Sequence, residues 1–224
     1  MFLWIYISLA AAFVQAVRTA LQKSLKKDFS NFTVTFARYV YGLPFALIYL
    51  YFLINFNDAA LPALNNKFIS LAVIAGVSQI IATILLVALF AHRNFVVGNC
   101  YARTEAIQAA IFGVIMFQDM LSFFGVLAII LGTIGVIFIT VFEGGFGFRN
   151  LYQKFRSKPA MIGIGSGFCF AISGVTIRHA SLSLQYDNFL ISAAFTLCVI
   201  VFMQMILMFG YLLIRRRDEL LRIF

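Results

Sequence analysis

Charged side chains are scarce in this sequence: they make up 11% of its 224 residues, and only 8 residues are acidic. A soluble domain usually carries roughly a quarter of its residues as charged side chains, so a water-soluble enzyme or binding domain is excluded. Hydrophobic residues instead reach 63%, and the mean hydropathy is +0.99. The solvent of this chain is therefore predicted to be lipid.

Cysteine and histidine are also too few and too scattered to build a covalent or metal framework. The three cysteines lie inside apolar stretches without paired spacing, and the two histidines are far apart. We therefore predict no disulfide framework, no metal site and no cofactor. No nucleophile–base pair and no phosphate-binding glycine loop appears, so the chain is not predicted to be an enzyme.

Long apolar runs fill almost the whole chain. A helical crossing needs roughly 20 apolar residues, and only helices or closed barrels satisfy every backbone group in lipid. The first run lacks the positive flank of a signal peptide, so we interpret it as a span. We predict an all-α, polytopic protein with seven spans, at residues 2–22, 32–54, 68–91, 95–117, 121–142, 160–181 and 188–214.

The formal net charge of +9 would suggest nucleic acid as the partner of a soluble protein. Here most basic residues fall in the short loops after odd-numbered spans, where they meet anionic headgroups. The other side of the membrane, where the even-numbered spans end, carries only Lys67 and Arg178. The positive-inside rule then places the odd loops in the cytoplasm and the N-terminus outside. We expect an inner-membrane protein whose partner is the bilayer, not nucleic acid.

Glu105 is the one acidic residue inside a predicted span, roughly 12 Å from the start of that span at 1.5 Å per residue. A carboxylate at such depth is costly unless it is neutral, solvated or paired, so it indicates a functional site. It either titrates a proton or binds a substrate amine, or it is a structural partner of Arg38 or Arg103.

Other polar residues within the spans extend this candidate site. Tyr101 and Gln108 share a helix face with Glu105, while Asn99 and Arg103 share another face. Arg38 either faces the interior or snorkels to the interface, and Gln15 makes the first span polar. The candidate substrate-binding residues are Gln15, Arg38, Asn99, Tyr101, Arg103, Glu105 and Gln108.

Several motifs resemble the EamA-type transporters of the drug/metabolite superfamily, and the similarity extends over essentially the whole chain. They lie at residues 15–18 and 22–23 in the first span, 36–44 in the second, 101–105 in the fourth and 130–136 in the fifth. The resemblance implies ten spans arranged as two five-helix repeats of opposite orientation, around a central cavity. It also implies a secondary transporter, an exporter or exchanger of small polar metabolites such as amino acids.

On this basis residues 1–142 are expected to form the first five-helix repeat, 143–159 a basic cytoplasmic linker, and 160–224 a partial second repeat. The chain is then expected to be truncated at its C-terminus and unable to transport alone. We expect a complete five-helix unit, a loosely attached two-helix unit and an open groove beside the fourth span. The alternative is a non-transporting accessory or assembly component of the membrane. Formation of a homodimer is left open.

Overall fold

The structure, a computed structural model, describes residues 3–89, 102, 104–118, 120, 122–142 and 157–221. Within these ranges the chain forms helices and no strands. They are α1 Leu3–Leu25, α2 Asn31–Asn57, α3 Asn66–Leu89, α4 Glu105–Phe117, α5 Phe123–Phe142, α6 Lys158–Ser183, α7 Phe189–Arg215 and α8 Arg217–Leu221.

Seven of these helices are apolar enough to belong to the membrane. Five of them, α1, α2, α3, α6 and α7, are also long enough to cross it. The described parts of α4 and α5 are shorter apolar helices. The predicted all-α, polytopic fold is confirmed. The predicted fourth span began at residue 95, and its stretch before residue 102 lies outside the described residues.

Polar residues at the loops determine where the long helices begin. The side chains of Ser30, Ser157 and Asn188 cap α2, α6 and α7 by accepting hydrogen bonds from backbone N–H groups of the first turn. Such caps satisfy donors that have no partner within the helix. At the other end of α2, Asp58 adopts a left-handed conformation (φ 44°) and terminates the helix. The turns between spans are therefore encoded locally.

The core of the bundle lies where α3 packs against α6. Small residues line both helices there, including Ala75 and Ala82 in α3 and Ser166 and Ala180 in α6. Small side chains let helix backbones approach closely in lipid. Ser166 Oγ uses this proximity to donate a hydrogen bond to the backbone oxygen of Ala82, at 2.8 Å. α2 packs against α7, and α4 packs against α6.

Hydrogen bonds near the helix ends show the relative directions of the packed helices. Asn65, just before α3, donates to the carbonyl oxygen of Ser183 at the end of α6, at 2.7 Å, so α3 and α6 are antiparallel. Asn57 at the end of α2 and Asn188 at the start of α7 make a side-chain contact of 3.4 Å, so α2 and α7 are antiparallel as well. The pair α6–α7 therefore runs in the opposite sense to α1–α2, which is the relation that an inverted repeat requires.

The expectation that the last two spans are loosely attached is wrong. In α6 and α7, 44% and 28% of the most apolar window is buried, against 6% in α1. Side-chain size and polarity explain why α6 is more buried than α1. The α6 helix presents small residues and hydroxyls to α3. The α1 helix carries large residues such as Phe13, which is 71% exposed. A cleft of about 300 Å³ does lie beside α4, between it and α6.

Basic residues gather at one end of the bundle, where α1 and α7 end and where α2 and α6 begin. We call this the basic end. Among the described residues, the opposite end carries Lys67 and Arg178. The basic end carries Lys23, Lys26, Lys27, Lys158, Arg215, Arg216 and Arg217.

Candidate substrate cavity

A polar cavity of about 210 Å³, here called the polar chamber, lies among α1, α2, α3, α4 and α6. It combines two arginines and a carboxylate with amide and hydroxyl groups. Its lining residues are Gln15, Arg18, Thr19, Arg38, Gln79, Leu86, Ala102, Glu105 and Phe170.

The structure brings three of the predicted site residues together in this chamber. Gln15, Arg38 and Glu105 come from three different helices and line the same cavity. Gln108 does not line it: its amide nitrogen donates to Thr104 Oγ1, at 2.9 Å. The predicted residues Asn99, Tyr101 and Arg103 lie outside the described residues.

Arg38 is turned into the bundle and does not snorkel to the interface. Its Nη1 donates to Thr83 Oγ1 of α3, at 2.8 Å, and Thr83 in turn donates to the carbonyl oxygen of Gln79, at 2.8 Å. The guanidinium also lies 5.7 Å from the centroid of the Tyr39 ring, within range of a cation–π contact. These contacts fix a cation deep within α2 and aim it at α3.

Glu105 reaches the chamber because α4 begins close to α6. It is half-buried and is the first residue of α4. A Cβ atom at Gly167 of α6 would lie 2.9 Å from the backbone oxygen of Ala102 and 3.3 Å from Glu105 N. Only a residue without a side chain leaves room for this approach, so Gly167 positions the carboxylate.

Sequence reasoning did not select Arg18 and Gln79 as site residues, although a signal was present. Arg18 lies three residues after Gln15, on the same face of α1, and both residues line the polar chamber. Gln79 is a polar residue near the middle of α3, an otherwise apolar span. A rule that treats every polar residue at membrane depth as a candidate would have found both.

A second cavity of about 400 Å³ adjoins the polar chamber and is here called the apolar chamber. It lies between α2 and α7, and it shares Arg18, Arg38 and Gln79 with the polar chamber. Its remaining lining residues are Tyr39, Gly42, Phe45, Ala46, Tyr49, Ile177, Leu197, Ile200, Val201 and Gln204.

Two glutamines join α3 to α7 at the boundary between the chambers. Gln204 is fully buried, and its amide nitrogen donates to Gln79 Oε1, at 2.8 Å, and to the Gly76 carbonyl, at 3.1 Å. The Gln204 side-chain oxygen is buried and accepts no hydrogen bond from the described residues. Gln204 therefore acts as a polar link between α3 and α7 inside the bundle.

No group of three or more His, Cys, Asp or Glu residues that could hold a metal ion occurs in the described part of the chain.

Spanning helices packed around an internal cavity with ionisable groups at depth define a multi-pass membrane protein of the transporter type. The chain belongs to the EamA-like transporter family, which matches residues 2–141, more than half of its length. The resemblance drawn from the motifs is confirmed over this range. Members of the family are membrane transporters and not enzymes. No curated protein and no solved structure matches the chain.

Proposed function

We propose that this protein is a secondary transporter of the inner membrane, an exporter or exchanger of small polar metabolites that carry a carboxylate, such as amino acids. The observation that carries the proposal is the polar chamber, where Arg18, Arg38 and Glu105 meet among spanning helices. The family membership supports the transporter class, and the substrate is inferred from the chemistry of the chamber.

The charges of the chamber suit a zwitterion. A guanidinium binds a carboxylate with two parallel hydrogen bonds, and Arg18 and Arg38 both line the cavity. Glu105 supplies a negative group for a substrate ammonium, and the amides of Gln15 and Gln79 add donors and acceptors. Because these groups lie at membrane depth, where the surroundings are less polar than water, each charged contact is stronger than it would be in water.

The helix directions support transport by alternating access. In carriers with inverted repeats, a midplane site is exposed to each side in turn when one half rocks against the other. We assign residues 1–142 to the first half, 143–159 to a linker and 160–224 to part of a second half. The chambers lie between α1–α4 of the first half and α6–α7 of the second, where such a motion would open them.

We further propose that Glu105 couples transport to protons. Replacing it with Gln keeps the size and polarity of the side chain and removes its titration. Glu105→Gln is expected to preserve the fold and to change the pH dependence of transport. An unchanged pH profile would reduce Glu105 to a packing role.

The second candidate is a non-transporting membrane component that assembles with another chain, including a second copy of this one. The observation that favours it is the poor packing of α1, which carries Gln15 and Arg18 but has only 6% of its most apolar window buried. Polar side chains on a poorly covered helix favour a partner in lipid.

Counterflow of radiolabelled amino acids in proteoliposomes tests the proposal and separates the two candidates. Accumulation driven by unlabelled substrate inside the vesicles is the result that the proposed function requires, and it should be absent from Arg38→Ala. The same result would contradict the expectation from the sequence that this chain does not transport alone. Lys67→Ala, an exposed lysine outside both chambers, is the matched control and should retain counterflow. Wild-type vesicles that never exceed empty liposomes would favour the accessory component.

A further inference from the structure

We propose that the apolar chamber binds the side group of the substrate, so that the preferred substrates are amphipathic. Such a substrate has a charged head in the polar chamber and an apolar body that extends along α2. This inference rests on the proposed function and specifies the substrate class of the same site.

The volumes of the two chambers favour this division. Pockets that enclose a small ligand usually measure about 300–1,000 Å³, and the polar chamber, at about 210 Å³, accommodates little more than a charged head. The apolar chamber is larger, about 400 Å³. Because the chambers adjoin at Arg38, a head bound there has its substituent directed into the apolar chamber.

The lining of the apolar chamber sets the character of that substituent. Phe45, Ile200 and Val201 give it hydrocarbon walls, and contact with such walls favours an apolar group over water. From Arg38 to Tyr49 the chamber follows α2 for roughly 16 Å at 1.5 Å per residue, which leaves room for a branched or aromatic group.

The test fills the chamber and measures binding to the purified full chain. A Cβ atom at Gly42 would meet nothing within 4 Å, and Gly42 lines the apolar chamber. Gly42→Leu is therefore expected to fill part of the apolar chamber. Radiolabelled L-alanine and L-phenylalanine are the probes. We expect wild type to bind phenylalanine at least ten-fold more tightly than alanine, and Gly42→Leu to lose that preference while keeping alanine binding.

The control is Gly132→Leu in α5, which also has open space around it and lies outside both chambers. It should bind both probes as wild type does. Equal wild-type affinities for alanine and phenylalanine, or a preference that survives in Gly42→Leu, would overturn this inference and leave the proposed function standing. Failure of every amino acid to bind would overturn the proposed function itself.

Discussion

Glu219 lies against the first turn of α2, although Ser30 precedes it by 189 residues in the sequence. Its Oε2 accepts a hydrogen bond from the backbone N–H of Ser30, at 3.1 Å, and another from Thr33 Oγ1. Its Oε1 accepts from Arg216 Nη1, at 2.7 Å. A carboxylate at a helix N-terminus also interacts favourably with the helix dipole. The contact ties the segment after α7 to the start of α2 at the basic end, and we call it the Glu219 clasp.

Removal of the Glu219 clasp should destabilise the protein. Hydrogen bonds to a charged group contribute about 1.5–3 kcal/mol, and the Glu219 side chain is only 21% exposed. Glu219→Ala is therefore expected to cost about 2 kcal/mol, measured as a lower apparent Tm in detergent. Asp218→Asn, an exposed neighbour, serves as the control and should change stability by less than about 0.5 kcal/mol.

The clasp should also make stability depend on pH in the acid range. Burial raises the pKa of Glu219, but hydrogen bonds from Ser30, Thr33 and Arg216 outweigh it and lower the pKa from 4.5 to about 2. Because the pKa is lower in the folded state, the contribution is complete above pH 4.5 and is lost as the pH falls toward 2. Thermal unfolding between pH 2 and 7 should show this loss for wild type, and Glu219→Gln should show a smaller one. Identical acid profiles for the two would contradict the shifted pKa.

A side chain at Gly167, which does not itself line the polar chamber, should change the chamber by displacing α4. Its Cβ would lie 2.9 Å from the Ala102 carbonyl oxygen, so Gly167→Ala must push the start of α4 away from α6 and move Glu105 with it. We expect at least a ten-fold loss of substrate affinity. Gly174→Ala lies on the same helix, where a Cβ meets nothing within 4 Å, and should bind normally. Wild-type affinity in Gly167→Ala would show that its close approach to α4 is unimportant.

The distribution of charge predicts which end of the bundle faces the cytoplasm. The basic end should be cytoplasmic and the end with Lys67 periplasmic. Single cysteines at Asp28 and Asp187, both exposed and in loops at opposite ends, can be placed in a cysteine-free background. An impermeant maleimide should label position 187 in intact cells and position 28 only after lysis. The reverse pattern would mean that the membrane orientation is inverted.

The sequence by itself determined the class of fold, and it proposed several residues of the candidate site. Charged and polar residues are costly in lipid, so they had to lie in loops or face an interior. The apolar runs between them therefore gave the positions of the spans. Glu105 was the one carboxylate within the predicted spans. The same reasoning found Arg38 and Gln15, which line the polar chamber with Glu105. The inference of the spans succeeds because the bilayer constrains each helix separately.

Only the tertiary structure decided which helices meet. The sequence predicted loose attachment of α6 and α7, yet small residues and hydroxyls bring α6 against α3 at the centre of the bundle. Arg38 had two possible directions, and its hydrogen bond to Thr83 turns it inward. The hydrogen bond between Gln79 and Gln204 and the Glu219 clasp became visible only when distant segments were packed together. Lipid solvates nearly every face of an apolar helix, so hydrophobicity alone does not determine which helices become its neighbours. The neighbours are selected by the fit of small side chains and by buried hydrogen bonds.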